Sequence, residues 1–326
     1  MWIDWLAIAG GLVLLVWSAD RFVVGASAIA HNLGVSAIII GMVIMGIGTS
    51  APEIFVAGAA SIAGNTGVAV GNAIGSNIAN IALVLGISAL VSPIIVESQT
   101  LKREFPLLLL ITLAVLGLLL DGDLSRLDGV LLLAGAVSMI GWMLWLANRE
   151  RSFGDPLERE FESELPKDMS TNVAIFWTVL GLVMLVASAE MLVWGGVNVA
   201  KAFGVSDLVI GLTIIAIGTS LPEVAVSVTG SIKGEDDIAI GNIIGSNMFN
   251  LLAVLGVGST IHAAPISDQV LFRDYATMIV LTIALFLMAY GFRGKKGQIN
   301  RIEATLLLLS YAGYMGWLYI TEVNQI

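Results

Sequence analysis

The chain has 326 residues, no cysteine and two histidines; 57% of its residues are hydrophobic, 12% are charged, and its mean hydropathy is +0.94. A soluble domain carries about 25% charged residues, so the composition argues against a soluble enzyme and for a polytopic helical membrane protein. Without cysteine there is no disulfide, thiolate metal site or thiol nucleophile, and a net charge of −10 with no basic stripe argues against nucleic acid.

Met1 to Gly10 holds Asp4 but no Lys or Arg, so it lacks the positive start of a secretory signal and reads as a retained first span. Apolar runs predict ten transmembrane helices near 3–28, 37–62, 67–92, 105–121, 127–147, 172–198, 207–231, 238–260, 275–292 and 303–321. The fold class expected is all-α, with ten transmembrane helices. The stretch from Asn148 to Thr171, with Pro156 and Pro166, is polar and of mixed charge, and reads as a cytoplasmic linker between halves. The boundaries expected are 1–147 for the first half, 148–171 for the linker and 172–326 for the second half.

With both termini outside, the inner face receives Lys102, Arg103, Arg149, Arg151, Arg159, Lys167, Lys233, Arg293, Lys295, Lys296 and Arg301. The outer face receives only Arg126, Lys201 and Arg273, so the positive-inside rule favours this orientation. Asp121, Asp123, Asp128, Asp207, Asp268 and Asp274 then lie outside, either as a cation-attracting vestibule or as plain solvated loop ends. An EF-hand beginning at Asp121 is excluded, because the sixth position is Arg126 and the twelfth Leu132.

One constant shift along the sequence brings the halves into gap-free register. Gly34-Val35-Ser36 falls on Gly204-Val205-Ser206, Gly48-Thr49-Ser50-Ala51-Pro52-Glu53 on Gly218-Thr219-Ser220-Leu221-Pro222-Glu223, and Arg103-Glu104 on Arg273-Asp274. Gly71-Asn72-Ala73-Ile74-Gly75-Ser76-Asn77 falls on Gly241-Asn242-Ile243-Ile244-Gly245-Ser246-Asn247, and Asn80 on Asn250. Five spans per half is an odd number, so the second copy enters from the opposite side and the halves are inverted repeats. That is the architecture of secondary transporters, whose ions bind near the midplane.

Glu53 and Glu223 sit deep in the second and seventh spans, where an ionised carboxylate costs about 2.5–3.5 kcal/mol on insertion scales. Thr49 and Ser50 precede Glu53 by four and three residues, on the same helical face. Pro52 removes a main-chain donor and frees a carbonyl near Gly48. Ser76 with Asn80, and Ser246 with Asn250, are spaced i, i+4 on the third and eighth spans. Carboxylate, hydroxyl and carbonyl are hard ligands suited to Ca²⁺ and Na⁺. Two glutamates balance one Ca²⁺, and an emptied site needs Na⁺ or protons in its place, which suggests antiport. The competing reading is a protonated glutamate bonded to a neighbouring helix. Asn72, Asn77, Asn242 and Asn247 serve either as ligands or as interhelical hydrogen-bonding residues, and Asp20 and Glu190 as interfacial anchors or interhelical partners.

The paired Gly-Thr-Ser-x-Pro-Glu and Gly-Asn-x-x-Gly-Ser-Asn motifs resemble those of the sodium/calcium exchangers, in the calcium/cation antiporter superfamily. The resemblance spans both halves and implies two inverted five-helix repeats, an ion-holding core of the second, third, seventh and eighth helices, and first and sixth helices that slide across it. Carried over by position, the ion ligands fall on Thr49, Ser50, Glu53, Ser76 and Asn80, and on Thr219, Ser220, Glu223, Ser246 and Asn250, with main-chain carbonyls of Gly46 and Ala216. Several relatives carry Asp at a position matched here by Asn80 or Asn250, so this site is less acidic.

The function expected is exchange of Ca²⁺ for Na⁺ by alternating access in a prokaryotic inner (plasma) membrane. H⁺/Ca²⁺ antiport on the same scaffold is the alternative, and H⁺ or K⁺ are further candidate ions. No cofactor, nucleic acid or obligate protein partner is expected; the partners are the ions and the bilayer. A channel, or an intramembrane enzyme using both glutamates, is a weaker reading, since no substrate-pocket pattern accompanies them.

Overall fold

A bilayer offers no water to main-chain amides, so a chain this apolar closes them into helices. The computed structural model describes residues 2–35, 37–64, 66–96, 101–150, 169–203, 216–290 and 297–323, and these are helical nearly throughout. Most of the predicted linker (151–168), the Gly204-Val205-Ser206 motif and residues 207–215 of the seventh predicted span lie outside the described residues.

Helix α1 is Trp2–Leu33; Ala37–Ile40 leads into α2, Gly41–Thr49, which is followed by α3, Ala51–Ile62. Then come α4 (Thr66–Val91), α5 (Leu101–Leu119) and α6 (Arg126–Glu150). The second half holds α7 (Thr171–Ala202), α8 (Ala216–Thr219), α9 (Leu221–Ile232), α10 (Asp236–Ile261), α11 (Val270–Ala289) and α12 (Arg301–Val323). Helix α6 continues through Glu150, into the start of the expected linker.

Among the described residues six helices are long and apolar enough to cross a membrane: α1, α4, α6, α7, α10 and α11. Helices α2 and α3 make a seventh if counted as one span bent by 43°. Helix α5 opens with Lys102, Arg103 and Glu104, and α12 carries Tyr311, Tyr314, Trp317 and Tyr319, which lowers the apolarity of the predicted fourth and tenth spans.

The bend has a local cause. Pro52 and Pro222 stand in the first turn of α3 and α9, where a missing N–H costs nothing. Ser50 and Ser220 before them have ψ near 0°, which ends the preceding helix. Gly64 and Gly234, equivalent positions of the repeat, close α3 and α9 with φ of 82° and 76°, a region that a β-carbon disfavours.

Burial separates frame from periphery. The apolar stretch of α10 is 94% enclosed and that of α4 72%, against 33% for each of α1, α6 and α7. Helices α1 and α7 run antiparallel through paired glycines. A β-carbon on Gly25 would lie 2.6 Å from Thr178 Oγ1, and one on Gly195 would lie 2.8 Å from the Asp4 carbonyl oxygen. Likewise Gly181 meets the main chain of Phe22, and Gly11 meets the Leu192 side chain. Within each pair, one contact is the other's image under the shift that relates the halves.

Two short antiparallel sheets tie the halves together. Strand β1 (Ile94–Val96), after α4, pairs with β4 (Gly297–Ile299), before α12. Strand β2 (Asp123–Leu124), before α6, pairs with β3 (Ala264–Pro265), after α10. The register is not gap-free to the end. Gly86 packs on Leu308, whereas Gly256, its image, packs on Leu133. A constant shift would carry Leu133 onto Glu303, yet its packing counterpart is Leu308. The second half is therefore longer before its last helix, which corrects the single shift expected throughout.

Candidate functional site

Helix α2 owes its position to glycine. Its first turn, Gly41–Met45, is π-helical, and its backbone rests on that of α10. A β-carbon on Gly41 would lie 2.8 Å from the Ile238 carbonyl, one on Gly46 3.0 Å from Gly245 Cα, and one on Gly245 2.5 Å from the Met42 carbonyl. This approach lets α10 side chains reach α2. Thr49 Oγ1 lies 3.1 Å from Ser246 Oγ, 3.1 Å from Asn242 Oδ1 and 3.0 Å from the Met45 carbonyl. A hydroxyl has one proton, so these three acceptors compete for it. Ser246 Oγ in turn reaches the Gly46 carbonyl at 3.5 Å, while that carbonyl accepts the Ser50 N–H at 3.2 Å.

The two carboxylates complete the chamber. Glu53 and Glu223 are each 1% exposed and lie close enough to repel one another. Among the described residues neither Glu53 oxygen has a hydrogen-bond partner, nor does Glu223 Oε2. Ser50 Oγ, Asn80 Oδ1 and Asn250 Oδ1 are also buried without one. Such groups are costly to bury unmet, several kcal/mol for an ion, unless a cation or proton satisfies them. The chamber has a surplus of oxygens and few donors, the chemistry of a hard-cation site.

Helices α4 and α10 meet their neighbours through asparagine. Asn80 and Asn250, equivalent positions of the repeat, each begin a π-helical turn, Asn80–Val84 and Asn250–Val254. Such turns interrupt the regular ladder and recur at functional sites. Asn80 Nδ2 donates to Asn247 Oδ1 at 3.1 Å, and Asn77 Nδ2 to the Asn247 carbonyl at 3.2 Å. Asn242 Nδ2 donates to Ser227 Oγ at 3.1 Å, which turns its oxygen toward Thr49. Asn72 Nδ2 donates to the Glu53 carbonyl at 3.3 Å.

The whole length of this arrangement has relatives. Residues 3–145 and 173–320 match the family described as sodium/calcium exchanger protein. The chain belongs to the sodium/calcium exchanger family. It is 52% identical to CaxA of Alkalimonas amylolytica, over 95% of this chain and 96% of that one. It is 42% identical to inner membrane protein YrbG of Escherichia coli, over 95% and 94% of the two chains. It is 31% identical to sodium/calcium exchanger MaX1 of Methanosarcina acetivorans, over 96% and 97%. A solved structure of the sodium-calcium exchanger NCX_Mj superposes with a TM-score of 0.82 at 33% identity, covering 97% of this chain and 99% of that one. The chain is therefore a membrane-embedded secondary transporter, not an enzyme.

In this exchanger-family chain the residues expected at the site divide into groups. Thr49, Ser246 and the Gly46 carbonyl come together directly, and the buried Glu53 and Glu223 lie near each other. Asn80 joins the asparagine network. Ser50, Ser76, Ser220 and Asn250 are buried, and the side chains of Ser50 and Asn250 have no hydrogen-bond partner among the described residues. Thr219 ends α8 half-buried, and Ala216 begins it. Among the described residues no group of three or more His, Cys, Asp or Glu is placed to hold a metal, because this chamber has only two carboxylates. Sequence reasoning left Asn242 and Asn247 undecided. Their repeated positions flagged them, but only their hydrogen bonds distinguish a residue facing Thr49 from one facing Asn80. The π-helical turns had no sequence signal.

Proposed function

We propose that this protein is an antiporter that exchanges Ca²⁺ for Na⁺ by alternating access. Both ions would compete for one chamber built from Glu53, Glu223, Thr49, Ser50, Ser76, Asn80, Thr219, Ser220, Ser246, Asn250 and the carbonyls of Gly46 and Ala216. The single observation that carries this reading is the pair of buried glutamates, three of whose four carboxylate oxygens lack partners among the described residues. Two negative charges match one Ca²⁺, and the neutral oxygens around them suit Na⁺ equally. The relatives MaX1 and NCX_Mj, each named a sodium/calcium exchanger, agree with it.

Ten transmembrane helices in two inverted five-helix repeats, 1–147 and 172–326 joined by 148–171, complete the proposal, with both termini outside. The crossed sheets support it. Pairing of β1 with β4 requires an even number of crossings between them, and so does pairing of β2 with β3. Ten spans meet both conditions, with one sheet at each face. The location follows that of the YrbG relative, the inner membrane.

The test is calcium uptake into proteoliposomes with Na⁺, H⁺ and K⁺ gradients imposed separately. Uptake driven by an outward Na⁺ gradient and lost in Glu53→Gln is expected. Uptake driven by protons alone would keep the scaffold and replace the coupling ion.

A further inference from the structure

The image-related asparagines Asn80 and Asn250 differ in how they are held. Among the described residues Asn250 has no partner for either amide atom. Asn80 is tied at one end only: its Nδ2 donates to Asn247 Oδ1 at 3.1 Å, while its Oδ1, buried with the rest of the residue, accepts nothing. An amide presents oxygen and nitrogen in opposite directions from one plane, so fixing the nitrogen fixes where the oxygen points. Asn247 is itself held through its main chain, whose carbonyl accepts from Asn77 Nδ2 at 3.2 Å. Its own Nδ2 is buried without a partner, so one donor is left unmet in the arrangement that anchors Asn80.

We infer that Asn247 is a positioning residue, whose side-chain oxygen holds the Asn80 amide so that Asn80 Oδ1, and not its NH₂, faces the cation. This rests on the exchanger reading above. Turned over, Asn80 would present two N–H groups to a site meant for cations, and Asn247 would donate rather than accept. A cation in the chamber favours the first arrangement, and the Asn247 oxygen preserves it between ions. The residue touches no ion and acts through Asn80. Its counterpart Asn77 does not do the same for Asn250, so one half of the site carries a fixed amide and the other a free one.

The test compares Asn247→Ala, Asn247→Asp, Asn80→Ala and the Asn80→Ala/Asn247→Ala double variant in the full chain. The readouts are calcium titration of purified protein and calcium uptake at varied calcium concentration. Loss of an outer hydrogen-bond partner weakens metal binding roughly tenfold or more, so Asn247→Ala should raise half-saturating calcium by about tenfold with its maximal rate retained. Asn247→Asp, which keeps an accepting oxygen, should stay near the parent. The double variant should be no worse than Asn80→Ala alone, because both changes remove one interaction.

An unchanged half-saturation in Asn247→Ala, equal losses in the Ala and Asp variants, or additive losses in the double variant would each overturn the positioning role. If Asn247→Ala does not fold, Asn247→Ser is read in its place, its hydroxyl being too short to reach Asn80. Calcium binding that Glu53→Gln abolishes but Asn247→Ala leaves intact removes this role alone. A parent protein that binds no calcium removes the exchanger reading with it.

Discussion

Gly245 of α10 lies against the main chain of Met42 in α2, so closely that a β-carbon there would come within 2.5 Å of the Met42 carbonyl oxygen. Backbone meets backbone at this point, and neither side has a flexible atom to move. Gly245→Ala should therefore push α2 from α10, at a cost of about 1–3 kcal/mol for overpacking. The thermal midpoint in detergent should fall, and sodium-driven calcium uptake should fall further, because Thr49 and Ser246 part. A variant with parental uptake would show that the chamber tolerates separation of the two helices.

Thr49 reaches from α2 to α10 through Ser246 and Asn242. Thr49→Val keeps the shape and removes the hydroxyl. A hydrogen bond between neutral groups contributes about 0.5–1.5 kcal/mol, so calcium affinity should weaken by roughly two- to tenfold. Calcium titration of the purified variant checks this, and an unchanged affinity would remove Thr49 from the site.

Glu235 precedes α10, outside the spans, and burial pushes its carboxyl above the usual carboxylate range despite the Ser27 hydroxyl and the charge of Lys233, with Asp236 adding to the rise. The folded protein therefore favours the protonated form. Its stability is highest below the unfolded value and declines as pH rises through the raised one. Glu235→Gln should leave the thermal midpoint little changed at acid pH and raise it at alkaline pH, where the parent loses the proton that burial favours. Equal shifts at both pH values would contradict the linkage.

Asp20 of α1 pairs with Lys233, just before α10, at 2.8 Å, with side chains 38% and 34% exposed. Partial exposure discounts the bond to about 1 kcal/mol or less. A double-mutant cycle on Asp20→Ala and Lys233→Ala, read by thermal unfolding, should give a coupling of that size that fades in high salt. A larger coupling that persists in salt would mean that the pair is drier than its surface suggests.

Much of the fold was legible because apolar runs and a repeat leave few alternatives. The helix starts near Leu101, Arg126, Thr171 and Arg301 lie within a few residues of the spans read from hydropathy. Burial of Glu53 and Glu223 followed from their depth in the spans, whereas the second span was read as one helix and Pro52 as freeing a carbonyl, so the bend at Ser50 was not foreseen. The direction of side-chain pairing was not legible. Asp20 had two readings until Lys233 was found against it, since a bond between opposite halves of the chain depends on how two helices cross. The same holds for Asn247, which reaches Asn80 only because α4 and α10 pass at that level. The lengthening before α12 escaped notice because it falls after the last repeated motif, where Leu133 and Leu308 look like any other leucines.

The crossed strand pairs have a mechanical consequence. Each sheet fastens a loop of one half to a loop of the other, at the ends of α4 and α10. A hinge between halves would tear both fastenings at once, so α4 to α6 and α10 to α12 behave as one stapled chassis. Among the described residues no strand adjoins helices α1 and α7, which touch chiefly each other through glycine-lined faces. That pair is fastened to the rest by side chains, as where Asp20 meets Lys233, and not by a shared strand.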